Sequence, residues 1–154
     1  MTGSPRLPPL AQSIVNGDRR ALARTISAVE NGDARVAPVL RALYARTGAV
    51  PVIGLTGPLG VGKSSLLSVL LGLLRARGKT VGVVAVDPSS PFSGGSVLGD
   101  RIRLERQAND DGVFFRSMAS RGESGGVAAS TREVSRLLDA AGFDVVFVET
   151  VGSG

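Results

Sequence analysis

The chain predicts an α/β fold: a parallel sheet with crossover helices over residues 49–154, preceded by an N-terminal helical region over residues 1–48. Three observations carry this. Before position 48 apolar residues recur at helical intervals, whereas beyond it short apolar runs alternate with longer amphipathic segments. The run Val145-Val146-Phe147-Val148 is apolar without a break, as expected of a parallel strand covered on both faces. A glycine-rich octapeptide, Gly57-Pro58-Leu59-Gly60-Val61-Gly62-Lys63-Ser64, lies between an apolar run and the leucine-rich segment Ser65 to Arg77.

Taken in order, residues 1–9 carry Pro5, Pro8 and Pro9 and read as a disordered lead-in. Leu10, Ile14, Leu22, Ile26 and Val29 mark two helices, with Asp18 capping the second. After Asn31-Gly32-Asp33, the residues Val36, Val39, Leu40 and Leu43 predict a third helix ending near Gly48. Val50–Leu55 is the first strand, and Gly62–Arg77 its crossover helix, stopped by Gly78. Thr80–Val86 is the second strand, followed by a Ser/Gly-rich loop from Asp87 to Gly99, a segment long enough to suggest function. A short helix is expected around Asp100–Gln107, a strand at Val113–Arg116 and a second polar loop at Ser117–Gly126. A helix from about Val127 to Ala141, closed by Gly142, and a strand at Asp144–Glu149 complete the pattern.

The octapeptide has the spacing of a phosphate-binding loop between a strand and a helix, which makes the fold a P-loop NTPase sheet. Glycines let successive N–H groups turn inward, and the helix beginning near Gly62 adds its positive end. Lys63 supplies a mobile charge for the outer phosphates, and Ser64 a hydroxyl ligand for the magnesium ion that accompanies a nucleotide. The competing reading is a glycine-rich turn, which the flanking strand and helix disfavour. In open parallel sheets ligands gather beyond the carboxyl ends of strands, where Asp87 and Glu149 both fall. Glu149 opens an acid-x-x-Gly arrangement whose Gly152 N–H could reach a terminal phosphate; a plain turn after a buried strand would look similar. Asp100 is a third candidate metal ligand, delivered by a loop, and reads equally as a helix cap.

Composition bounds the rest. A length of 154 residues is one ordinary domain, and 43% apolar residues suffice for a core. The chain has no cysteine and no histidine, which excludes disulfides, thiol nucleophiles, Cys/His zinc sites and histidine acid–base chemistry. With no apolar run of spanning length and no signal pattern at the start, the expectation is a cytoplasmic protein with no membrane partner. Seven arginines face three acids in residues 1–50, against eleven bases and ten acids thereafter. Those arginines fall at helical spacing without interleaved aromatics, so they predict a solvated or protein-facing helix surface and not a nucleic-acid groove.

Several segments together carry a family resemblance: Val86-Asp87-Pro88-Ser89-Ser90, Gly94 to Arg101, Gly125-Gly126-Val127-Ala128, Ala141 to Asp144 and Glu149-Thr150-Val151-Gly152, with Gly17 to Arg24 near the start. The chain resembles the methylmalonyl-CoA-mutase-associated GTPases, the MeaB or ArgK type once labelled LAO/AO transport ATPases. The resemblance implies a GTPase that binds GTP, GDP and Mg2+ and serves as chaperone to an adenosylcobalamin-dependent mutase, assisting cofactor loading and protection, with a homodimer in the full-length form. It implies that Gly57, Pro58, Leu59, Gly60, Val61, Gly62, Lys63, Ser64, Ser65 and Gly152 contact the nucleotide. Lys63 would be the catalytic residue. Ser64, Asp87, Asp100 and Glu149 would surround the metal, with Asp100 in the first switch and Glu149–Gly152 opening the second.

Three departures qualify it. The loop has Pro58-Leu59-Gly60-Val61 and Ser65 where the family has Gly-x-Pro-Gly-Ala-Gly-Lys-Ser-Thr, a change that keeps the loop's fold. Ser153-Gly154 replaces the family's Val-Gly-Gln continuation, and the base-reading Asn-Lys-x-Asp motif is absent. The expectation is therefore an incomplete G domain. Two other readings stay open: a nucleotide-independent interaction module with a vestigial loop, and an ATP-using P-loop protein such as a kinase or transport ATPase.

Overall fold

The computed structural model describes residues 7–58, 60–87, 110–119 and 129–150. Two Asx-capped segments organise the N-terminal region. Helix α1 (Pro9–Val15) starts on a proline, whose missing N–H costs nothing in a first turn. Helix α2 (Arg19–Glu30) is capped as expected by Asp18, whose carboxylate accepts from the N–H groups of Arg20 at 2.9 Å and Ala21 at 3.0 Å. Asp33 caps a short 3₁₀ turn, Ala34–Val36, that leads into α3 (Ala37–Tyr44). Helix α3 stops four residues before Gly48 because Arg46 N–H bonds Leu43 and Thr47 N–H bonds Tyr44, three-residue steps that tighten and end the coil.

Beyond it the chain alternates: β1 (Val52–Leu55), α4 (Lys63–Ala76), β2 (Val81–Asp87), β3 (Val113–Ala119), α5 (Ala129–Ala140) and β4 (Val145–Thr150). The four strands form one parallel sheet in the order β1-β4-β2-β3. Alternation along the strands splits the core in two. Val81, Val83, Val113 and Phe147 pack on Leu67 and Leu71 of α4. Val84, Val86, Phe114, Met118, Val146 and Val148 face α5 and the N-terminal helices, whose Ile14, Leu22, Ile26 and Leu43 join the same cluster. Gly82 is what lets α5 sit so close: a Cβ there would lie 2.9 Å from Leu138 Cδ1.

Two expectations change. Strand β3 runs to Ala119 where the pattern predicts an end at Arg116, with Ser117–Ala119 in a loop. The ladder continues because Met118, level with Val86, is buried while Ser117 points to solvent. A single buried residue leaves too short an alternation to read. The arginines of α2 are not all solvated: Arg19 donates to the carbonyls of Asp111 and Val113 and lies 5.5 Å from the Phe114 ring centroid. Arg116 of β3 pairs with Glu30 and bonds Ser27. These side chains tie α2, which packs on α5, to β3. The helix expected around Asp100–Gln107 lies outside the described residues.

Candidate functional site

The glycine loop leaves the carboxyl end of β1 and turns into α4. Gly57 has φ +146°, and a Cβ on it would approach Val61 Cγ1 to 3.3 Å. Gly62, at φ +94°, occupies the position just before the helix, and its carbonyl accepts the first helical bond, from Leu66 N–H at 2.9 Å. The N–H groups of Lys63, Ser64 and Ser65 thus stand at the open, positive end of α4. Lys63 reaches back into the loop, where Nζ donates to the Gly57 carbonyl at 2.7 Å and the Pro58 carbonyl at 2.9 Å. The ammonium is held at the mouth of the loop by groups that a phosphate could replace.

Ser64 Oγ donates to Glu149 Oε1 at 2.7 Å, a contact between residues 85 apart in sequence and partly buried. Strand order makes it possible. Strand β4 lies directly beside β1, with Glu149 level with Leu55, the last residue before the loop. On the other side Glu149 is level with Ala85, so Asp87, at the end of β2, is two residues further toward the same end of the sheet. A hydroxyl and a carboxylate side by side are hard oxygen donors of the kind magnesium takes, so the residues present fit that ion.

The structure therefore brings Gly57, Pro58, Gly60, Val61, Gly62, Lys63, Ser64 and Ser65 into one turn, with Glu149 against it and Asp87 at the neighbouring strand end. Leu59, Asp100 and Gly152, each expected at the site, lie outside the described residues. What the linear pattern lacks is the direct Ser64–Glu149 bond, since nothing local states that β4 is the neighbour of β1. A separate cavity of about 690 Å³ opens on the opposite face of the sheet, between β1 and α5, lined by Thr47, Val52, Thr131, Ser135, Asp139 and Val148 among others. No helix among the described residues is long and apolar enough to cross a membrane.

Comparison with known proteins agrees with this geometry. A protein of Pyrococcus abyssi is 51% identical over 145 residues, which cover 94% of this chain and 45% of that one. The fused isobutyryl-CoA mutase of Cupriavidus metallidurans is 41% identical over 152 residues, covering 96% of this chain and 14% of the fusion. A solved structure, the LAO/AO transport system kinase, superposes with a TM-score of 0.72 at 33% identity over 94% of this chain and 43% of its own. The chain spans about half the length of most of the curated relatives it matches. The family model described as methylmalonyl Co-A mutase-associated GTPase MeaB matches residues 22–154, and with the loop, its lysine and its paired serine and glutamate in place the chain belongs to that family.

Proposed function

We propose that residues 57–65 bind the phosphates of GTP or GDP with Mg2+, and that the chain is the N-terminal part of a GTPase domain, residues 49–154, behind a helical extension, residues 1–48. The observation that carries this reading is the 2.7 Å bond from Ser64 to Glu149 at the mouth of a loop whose lysine rests on loop carbonyls. Ser64 and Glu149, with Asp87 and Asp100, would hold the metal, and Gly152 would contact the terminal phosphate. Held there, a magnesium ion would supply charge neutralisation for in-line attack of water on that phosphate. Lys63 leaves the Gly57 and Pro58 carbonyls to meet the outer phosphate oxygens. The N–H groups at the start of α4 orient the same oxygens.

At the level of the cell, the reading is a cytoplasmic chaperone that couples GTP hydrolysis to loading and protection of adenosylcobalamin in a methylmalonyl-CoA-type mutase, as a homodimer in full-length form. The family's name and the relative fused to isobutyryl-CoA mutase support a mutase partner. The test is titration of the chain with fluorescent GTP, GDP and ATP in magnesium, with Lys63→Ala as control. Magnesium-dependent binding of GTP and GDP, weakened by about 100-fold or more in Lys63→Ala, is expected, since a charge-assisted contact of 1.5–3 kcal/mol and its geometry are both lost. Equal binding by Lys63→Ala, or ATP preference, overturns the reading.

A further inference from the structure

One buried carboxylate lies outside the phosphate site. Asp139, near the end of α5, is 9% exposed, and its Oδ2 accepts from the Gly48 N–H at 2.5 Å. Burying a carboxylate is costly unless hydrogen bonds offset it, so a charge placed on a backbone N–H marks a turn of chain that the fold must hold. Gly48 is in the left-handed region at φ +101°, with nothing within 4 Å of where a Cβ would stand, so the backbone turn itself calls for glycine. A second contact secures the same joint. Tyr44, at the end of α3, donates to Glu133 Oε2 of α5 at 2.5 Å, with the Arg136 guanidinium 5.2 Å from its ring centroid. The segment from Tyr44 to Gly48 is thus seated on α5 before it enters β1.

Strand β1 has little hold of its own. It is four residues long, and Gly54 gives it no side chain at its third position, so packing specifies its register weakly. The Pro51 carbonyl accepts from Val146 N–H, which turns the N–H groups of the alternate residues Ile53 and Leu55 toward β4. Helix α5 runs through Gly142 into β4, so one stretch of chain grips β1 at both ends: Asp139 at its entry and Glu149, through Ser64, beyond its exit. A shift of β1 along β4 would carry Lys63 and Ser64 away from Glu149.

We infer that Asp139 is a positioning residue for the phosphate loop: by holding the Gly48 N–H it fixes where β1 enters the sheet, and so where the loop stands against Glu149. It acts through the backbone of β1 and touches neither nucleotide nor metal. Its effect on nucleotide binding rests on the reading of residues 57–65 as a phosphate site; its effect on β1 does not.

The test has two arms on the full chain: amide exchange at Ile53 and Leu55 without nucleotide, and titration with fluorescent GTP in magnesium, both well below the melting temperature. Asp139→Ala is expected to speed exchange at the two amides about tenfold or more and to weaken GTP binding about tenfold, as a displaced loop would. Asp139→Asn, which keeps an oxygen to accept the Gly48 N–H, stays within about threefold of the parent chain in both arms. Gly48→Ala reaches the joint from the other side, through strain at φ +101°, and reproduces Asp139→Ala. Gly112→Ala, whose Cβ falls on the Arg75 guanidinium and away from the joint, controls for general loosening: it lowers Tm, leaves GTP binding unchanged and moves Ile53 and Leu55 no more than other amides of the sheet. Unchanged exchange at Ile53 and Leu55 in both Asp139→Ala and Gly48→Ala overturns the proposal. So does faster exchange with unaltered GTP affinity, an equal loss of affinity in Gly112→Ala, or an Asp139→Asn chain as impaired as Asp139→Ala. A parent chain that binds no nucleotide overturns the phosphate reading instead, and the exchange arm alone then decides whether Asp139 positions β1.

Discussion

Removing the Ser64–Glu149 bond tests whether the loop and β4 are joined as described. The bond is short, 2.7 Å, and has a charged acceptor, so its full value is about 1.5–3 kcal/mol. Both side chains keep partial contact with solvent, which replaces part of what is lost, leaving about 1 kcal/mol. Ser64→Ala also gains a few tenths of a kcal/mol of helix propensity in α4, so its net cost is about 0.5–1 kcal/mol. Glu149→Gln keeps an acceptor oxygen but not the charge, at about 0.5–1 kcal/mol. Each change lowers Tm by about 1–4 °C in a chain of this size. The double variant is expected to cost less than the two singles together, with a coupling of about 0.5–1 kcal/mol in a nucleotide-free urea titration. In fluorescent GTP binding, Glu149→Gln reduces the gain in affinity from magnesium by about tenfold or more while binding in chelator changes little. Zero coupling in the nucleotide-free protein refutes the geometry; undiminished magnesium dependence in Glu149→Gln refutes the assignment of that carboxylate to the metal.

Three further outcomes are expected. Gly82→Ala destabilises by about 1–2 kcal/mol despite the entropy it removes from the unfolded chain, because its Cβ falls 2.9 Å from Leu138 Cδ1; in a Leu138→Val background the extra cost largely disappears, as thermal melts of the four proteins will show. Gly112→Ala places a Cβ 1.9 Å from Arg75 Cζ and so displaces the guanidinium from Asp110 and from the Lys79 carbonyl, at about 1 kcal/mol; once that is done, Arg75→Ala should cost nothing more in urea titration. Acid weakens the fold through carboxylates whose pKa is lowered: Asp144 by the Thr80 N–H and by Lys79, Asp110 by Arg75, Asp18 by the Ala21 N–H. Their contribution is complete above the unfolded carboxylate range near pH 4 and is lost as pH falls through their lower folded values, so the urea midpoint should be flat from about pH 8 to 5 and fall below pH 4, less steeply in Asp144→Asn.

The phosphate loop was legible because it is local: three glycines, a lysine and a serine at fixed spacing need no knowledge of the rest of the chain. Asp18 as a cap was legible for the same reason, its carboxylate meeting N–H groups two and three residues on. The end of β3 was not, since one buried methionine does not make an alternation. Nor was the fate of the α2 arginines: on a helical wheel Arg19 is an outward charge, and only the tertiary fold brings the Asp111 and Val113 carbonyls within its reach. The partner of Ser64 was hidden by topology, because Glu149 lies on the last described strand in sequence, yet that strand inserts between β1 and β2.

That insertion has a mechanical consequence. Strand β1 is held on one side by β4, which carries Glu149, and it leads within two residues into Gly57. Among the described residues its other side carries no strand. The loop, its lysine and the Ser64–Glu149 bond therefore hang from a strand paired, among those residues, on one side only, and Gly54, with no side chain and nothing within 4 Å of where one would stand, is the residue in the middle of it. The position of Lys63 relative to Glu149 is thus set by the β1–β4 pairing, and loosening that pairing should weaken phosphate binding without touching a single residue of the loop.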